Sequence, residues 1–192
     1  RRLSSAASDV YKRQNQSILS FDLSKITKKK KSIRLAGNLP YNLSSPILEW
    51  CIKNSESIID MHFMLQKEFA ERCVGNETSK SYGKLSVICD YLFEVQILKD
   101  VDKSFFNPSP KVDSSFVKFK PKKDFLDQNE FANLKKILNH LFSAKRKKIR
   151  KTLTKIFNES EINKIDLDLN LRPDQMNTQN FVDLSRVYKN HG

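Results

Sequence analysis

The stretch Ser32-Ile33-Arg34-Leu35-Ala36-Gly37-Asn38-Leu39-Pro40-Tyr41 decides how the rest of the chain is read. Residues 32–37 have the length and apolar content of a short buried strand. Pro40 forbids a helix through the tetrapeptide and disfavours a helical backbone at Leu39. Asn38 therefore stands on a fixed, non-helical corner where a strand ends. Ser44, Ser45 and Pro46 then offer a helix start, with Ile47, Leu48, Cys51 and Ile52 as its apolar face running to about Lys53. Strand, corner and helix form the place where open α/β sheets bind ligands, outside the carboxyl ends of their strands.

That corner suits one chemistry. The exocyclic amine of a nucleobase is a poor nucleophile, because its lone pair is delocalised into the ring. The carboxamide oxygen of Asn38 and a free carbonyl on Pro40 can both accept from its two N–H groups. Such contacts draw the nitrogen toward a tetrahedral shape and localise the pair. Tyr41 offers a flat face for the base, and stacking on an aromatic is worth about 1–3 kcal/mol per base, comparable to the few kcal/mol needed to unstack it. The same four residues also make an ordinary turn, with Asn38 as its cap and Tyr41 as a core anchor, so the remaining chain has to carry the reading.

Outward from the corner, apolar runs alternate with helical patterns. Upstream, Ile18-Leu19-Ser20-Phe21-Asp22 reads as a strand ending in an acid, and Lys25 to Lys31 as a solvated connection. Downstream, Ile58 to Gln66 reads as a strand, Lys67 to Val74 as a helix, and Gly75 to Gly83 as a polar loop. Leu85 to Phe93 is helical by spacing, with Leu85, Ile88, Cys89 and Leu92 on one face. Val95 to Val101 and Ser115 to Phe119 read as a hairpin-like strand pair. Between them Phe105-Phe106-Asn107-Pro108-Ser109-Pro110-Lys111 forms a Pro-stiffened extended loop, one of whose two Phe rings plugs the core. Alternation of this kind predicts an α/β fold. After Pro121 the pattern becomes all-helical. Phe131, Leu134, Leu138, Leu141 and Phe142 make one stripe, and Ser143 can cap a second helix with Ile149, Leu153, Ile156 and Phe157 facing inward. Glu161 to Leu171 and Asn180 to Tyr188 are shorter helical candidates. The expected organisation is an α/β unit over residues 15–122 and a small helical unit over 123–192. Residues 1–14, rich in Arg and Ser, fit nothing downstream. A transit peptide has such a composition, but the segment is read as a non-native join.

With 192 residues and a net charge of +13, the chain favours a polyanionic partner, nucleic acid or an acidic membrane face. Most of that charge is concentrated: residues 111–155 hold 14 Lys or Arg against 4 Asp or Glu. Within them Lys145, Arg146, Lys147, Lys148, Arg150 and Lys151 are expected to crowd the first two turns of a helix. A basic helix N-terminus opposes the helix dipole and repels itself, which points to a phosphate-bearing partner. Cys51, Cys73 and Cys89 are odd in number and widely spaced, the pattern of reduced thiols in a cytosolic protein, with no zinc site expected. His62, His140 and His191 are scattered and read as structural or surface residues. No run approaches the length of a membrane span.

Five stretches resemble the ribosomal RNA adenine dimethyltransferases, most closely the KsgA-type small-subunit branch. They are Asn38-Leu39-Pro40-Tyr41-Asn42, Met61 to Glu68, Tyr82 to Val87, Phe106 to Ser114, and Lys145 to Arg150, in the family's order and near its spacing. The resemblance implies a class I, Rossmann-like methyltransferase fold with S-adenosyl-L-methionine as methyl donor. It implies N6-dimethylation of two adjacent adenosines near the 3′ end of small-subunit rRNA. By position, Asp22 matches an acid contacting the cofactor's adenine, and Asn38 matches the residue at the cofactor–substrate junction. Tyr41 and Phe106 match the aromatics that sandwich the target base. Catalysis is thus expected of Asn38, Pro40, Tyr41 and Phe106, and RNA contact of Lys111 and the cluster at 145–151.

The family's glycine-rich cofactor loop is not found ahead of Asp22, so the fold is expected to lack its first strands, as the C-terminal part of a longer enzyme. A cytoplasmic monomer acting on an immature small subunit is expected. Two other readings stand beside it: an Erm-type enzyme modifying large-subunit rRNA, and a non-catalytic RNA-binding assembly factor of the same fold.

Overall fold

The computed structural model describes residues 16–122 and 128–188. Its centre is a four-stranded sheet built from β1 (Ile33–Asn38), β2 (Ile58–Gln66), β3 (Phe93–Val101) and β4 (Ser114–Pro121), in the order β1-β2-β4-β3. β1 runs parallel to β2, and the helix α1 (Ser44–Lys53) makes the crossover that a parallel pair requires. β4 is antiparallel to both β2 and β3, which closes the sheet with the expected strand pair. Helices α2 (Lys67–Val74) and α3 (Lys84–Leu92) connect β2 to β3. The helical part comprises α4 (Gln128–Phe142), α5 (Ile149–Leu153), α6 (Glu159–Ile162) and α7 (Thr178–Val187).

Period-two alternation sends Met61, Phe63 and Leu65 of β2 to one face, where they pack with Val117 and Phe119 of β4 and with Ile47, Leu48, Trp50 and Cys51 of α1. Trp50 buries its ring and donates its indole N–H to the Phe21 carbonyl at 2.9 Å. A second cluster gathers Leu134, Ile137, Leu138 and Leu141 of α4 with Ile149, Leu153, Phe157, Phe181 and Leu184. Burying each such side chain stabilises by about 1.5–3 kcal/mol relative to leaving it exposed. α3 serves both clusters: Cys89 and Leu92 face the first, while Val87, together with Tyr82 just ahead of the helix, enters the second. Cys51, Cys73 and Cys89 are buried free thiols, and desolvation pushes Cys51 up to about 12. No helix of the described residues is long and apolar enough to cross a membrane.

Five local expectations are corrected. Ile18–Ser20 and Leu23–Lys25 are 3₁₀ turns rather than a strand. The Ser17 and Asp22 side chains accept the N–H groups of Leu19 and Ser24, closing local turns where a ladder would have to form. β1 is half-buried rather than buried, because it lies at the sheet edge with its alternate side chains exposed. Residues 145–148 precede α5 in turns, and only Arg150 and Lys151 of the basic cluster are helical. Ser143 donates to the His140 carbonyl at 2.7 Å and caps nothing downstream. Glu161 to Leu171 is mostly non-helical, since α6 ends at Ile162. Residues 1–14, and the junction at 123–127, lie outside the described residues.

Candidate functional site

β1 ends at Asn38, and the chain turns at Leu39 and Pro40 into a 3₁₀ turn, Tyr41–Leu43, that feeds α1. The Leu39 N–H still donates to the Met64 carbonyl of β2 at 3.2 Å, so the corner is tied to the sheet up to the proline. Asn38 is exposed at this strand end. Across the sheet, β3 passes through the turn Lys103–Phe105 into the proline loop and then β4. This brings Phe106 to the corner: Asn38, Leu39, Pro40, Tyr41, Phe106, Pro108 and Pro110 line one open cleft of about 320 Å³. The walls are apolar and aromatic, with the carboxamide of Asn38 as the polar side chain among them.

Tyr41 is not free to swing. Its hydroxyl lies 2.9 Å from the Ser114 hydroxyl, and Ser114 is fully buried at the start of β4. The loop opposite is pinned as well. Asp113 accepts the Lys103 N–H at 3.2 Å, Asp102 accepts the Ser104 N–H at 2.8 Å, and the Ser109 hydroxyl donates to the Lys103 carbonyl at 2.9 Å. Hydrogen bonds from Ser104, side chain first and then backbone, hold the Asp102 carboxyl below the usual range. The peptide bond Asn107–Pro108 is cis. Sequence alone assigns no role to Asp102, nor to Asp113 and Ser114 at the end of the stretch beginning at Phe106. The signal for Ser114 is a serine at the very start of the strand that directly follows the proline loop.

Contrary to expectation, the carbonyl of Pro40 is not free: it accepts the Leu43 N–H at 2.9 Å. A carbonyl has two lone pairs, so one acceptor site remains. The expectation that Phe105 or Phe106 plugs the core also fails: Phe106 is half-buried in the cleft wall and Phe105 is 82% exposed. Asp22 is exposed and is not among the cleft residues. It caps the turn Leu23–Lys25, and hydrogen bonds from the Ser24 side chain and backbone hold its carboxyl below the usual range.

Lys111 is exposed near the cleft loop and lines a second groove with Lys103, Lys67, Glu68 and Asp113. The basic cluster sits apart, on the helical part. Arg146, Lys147, Lys148, Arg150 and Lys151 are exposed, while Lys145 is half-buried and donates to the Tyr82 carbonyl at 2.8 Å. The Ile149 and Arg150 N–H groups donate to the carbonyls of Leu171 and Leu169, so these helix-start donors are satisfied by the chain itself. Lys148 reaches Asn170 at 3.1 Å. His62 stands beside Asp60 and the Phe116 ring, and His140 contacts the Thr152 carbonyl. Among the described residues no group of His, Cys, Asp and Glu is arranged to hold a metal.

Comparison with known proteins agrees with this architecture. Residues 4–189 match the family described as Ribosomal RNA adenine dimethylase. A Ribosomal RNA small subunit methyltransferase A from Francisella tularensis subsp. novicida is 42% identical over 176 residues, covering 89% of this chain and 66% of its own length. The chain thus spans just under two thirds of that relative. Among solved structures, a dimethyladenosine transferase from Plasmodium falciparum superposes with a TM-score of 0.67 at 25% identity, covering 79% of this chain and 64% of the other. The 23S rRNA methyltransferase ErmE shares the fold, with a TM-score of 0.65 at 20% identity over 91% of this chain and 70% of its own. With the family matched across nearly its whole length, the chain belongs to the ribosomal RNA adenine dimethylases and carries their class I methyltransferase fold.

Proposed function

We propose that this chain carries the base-binding and RNA-binding parts of an enzyme that dimethylates N6 of two adjacent adenosines near the 3′ end of small-subunit rRNA. It acts as a cytoplasmic monomer on an assembling subunit. The observation that carries the reading is the cleft itself, in which an exposed carboxamide at a strand end stands with two aromatic residues on pinned backbones. A purine turned out of its helix stacks on Tyr41 and Phe106. Its amine donates to Asn38 Oδ1 and to the remaining lone pair of the Pro40 carbonyl. Holding the nitrogen in line with its methyl donor supplies up to about 7–11 kcal/mol of the barrier lowering. The methylated nitrogen is strongly acidic and sheds its proton to water, so no general base is needed.

S-adenosyl-L-methionine supplies an activated sulfonium methyl group. Asn38 fits the junction between donor and base, being exposed at the carboxyl end of β1. Asp22, exposed at the turn Leu23–Lys25, is assigned the donor's adenine, although it stands outside the cleft lined by Asn38.

The family match and the 42% identity to a small-subunit enzyme favour this substrate over the large subunit, since the likeness to ErmE is one of fold. The test is methyl transfer by the full-length reading frame to immature small and large subunits in parallel. Label is expected in small-subunit rRNA alone. Label confined to the large subunit, or none in either with RNA still bound, would overturn the assignment.

The exposed cations of the 145–151 cluster supply phosphate contacts. Neutralising Arg146, Lys147 and Lys148 together is expected to lower the slope of log affinity against log salt by about 2–3. A slope unchanged in a filter-binding titration removes the loop from the RNA interface.

A further inference from the structure

Phe105 is the most exposed large apolar side chain among the described residues, at 82%, and the only aromatic one so displayed. It immediately precedes Phe106, which lines the cleft. Phe105 closes the 3₁₀ turn Lys103–Phe105, and the backbone becomes extended at Phe106, with φ −108° and ψ 145°. Phe106 lines the cleft and Phe105 does not, so the exposed Phe105 ring stands beside the cleft and out of it. Its backbone is fixed: the Phe105 N–H donates to the Asp102 carbonyl at 3.1 Å and the Phe106 N–H to Lys103 at 3.2 Å. The nearby acids Asp102 and Asp113 each accept a backbone N–H, while the Lys103 and Lys111 side chains are exposed.

We propose that Phe105 is a positioning residue that stacks on the base flanking the target adenine in the same RNA strand. The inference rests on the rRNA reading above and deepens it. A strand that surrenders one base to the cleft leaves the neighbouring base without a stacking partner on that side. A fixed ring on the rim replaces the lost partner, and the exposed Lys103 and Lys111, which line one groove that begins at the same turn, suit the phosphates of the same nucleotides. The substrate feature recognised is thus an aromatic base next to the target, which matters where two adjacent adenosines are modified in turn.

The test uses the full-length chain and a hairpin with the small-subunit 3′ sequence, carrying 2-aminopurine either beside the target or at it. Wild type is expected to quench the flanking probe on binding. Phe105→Ala is expected to abolish that quench and raise Kd about ten-fold, leaving the probe at the target position quenched; Phe105→Trp restores both. Because the ring is exposed, neither variant disturbs the core. An unchanged Kd and flanking signal in Phe105→Ala overturns the proposal, and assigns the ring to a protein contact instead if binding to immature subunits alone is weakened. Failure of wild type to bind either hairpin overturns the rRNA reading itself, and this inference with it.

Discussion

Asn38→Ala in the full-length chain is expected to lower the rate of methyl transfer by roughly 10²–10³, the range found when one positioned polar group is removed from a reacting centre. Affinity for RNA is expected to stay within about two-fold. The separation follows from where the residue stands. Its side chain is exposed, so truncation opens no cavity. The corner keeps its tie to the sheet through the Leu39 N–H, which the substitution leaves in place. The stacking proposed for Tyr41 and Phe106 and the phosphate contacts proposed for the basic cluster would not pass through the carboxamide. What is lost is an acceptor that acts more strongly as the amine nitrogen becomes tetrahedral, and only such differential contacts speed the chemical step. Asn38→Asp keeps an acceptor oxygen and is expected to recover part of the rate. Equal loss of binding and methylation in Asn38→Ala would mean that the residue holds the corner together and does not orient the amine.

Legibility in the sequence followed the range over which each element is stabilised. β2 begins and ends where its apolar run does, because Lys67 and Glu68 open a helix directly behind it. α1 is equally plain, from Ser44 to Lys53. Ile18 to Asp22 has a strand's composition, yet a strand also needs a neighbour, and among the described residues it has local turns in place of one. The segment before Leu171 is instructive in the other direction. Ile165, Leu167, Leu169 and Leu171 alternate with polar residues at period two, the pattern of extended chain, and they lie half-buried while the residues between them are exposed. Two of their carbonyls receive the N–H groups that open α5. The basic cluster goes astray for a separate reason: a cap at Ser143 implies a helix longer than the five residues of α5, and Ser143 bonds back to His140 instead. The cleft was legible as a set of residue types but not as a construction. Tyr41 and Phe106 line one cleft only because β4 pairs with β2, setting Ser114 opposite Gln66 and within reach of the Tyr41 hydroxyl. No local spacing encodes that contact.

Tyr82→Ala is expected to cost about 3–5 kcal/mol of stability, the range for removing a large buried aromatic side chain. Tyr82 is 3% exposed and joins the two halves of the molecule. Its hydroxyl donates to the Met176 carbonyl at 2.7 Å, its ring meets Phe142 edge-on at 6.2 Å, and its own carbonyl accepts Lys145. Tyr82→Phe keeps the ring and leaves the Met176 carbonyl without this donor, so a loss of about 1–3 kcal/mol is expected. For a chain of this size each kcal/mol lowers Tm by about 2–4 °C, which places the Ala variant roughly 10 °C below wild type. The pH dependence gives an independent check. Burial, and then the charge of Glu77, push the Tyr82 hydroxyl well above its ordinary value. The folded state therefore favours the neutral, donating form. Its contribution is complete below the unfolded tyrosine value of about 10 and is lost as pH rises beyond it. Tyr82→Phe should accordingly flatten the alkaline limb of stability against pH while leaving the neutral and acid limbs parallel to wild type. Denaturant titrations from pH 7 to 11 read both effects. An Ala variant as stable as wild type, or an alkaline limb indifferent to the Phe substitution, would show that the helical part is held against the sheet by other contacts and that the tyrosine merely fills space.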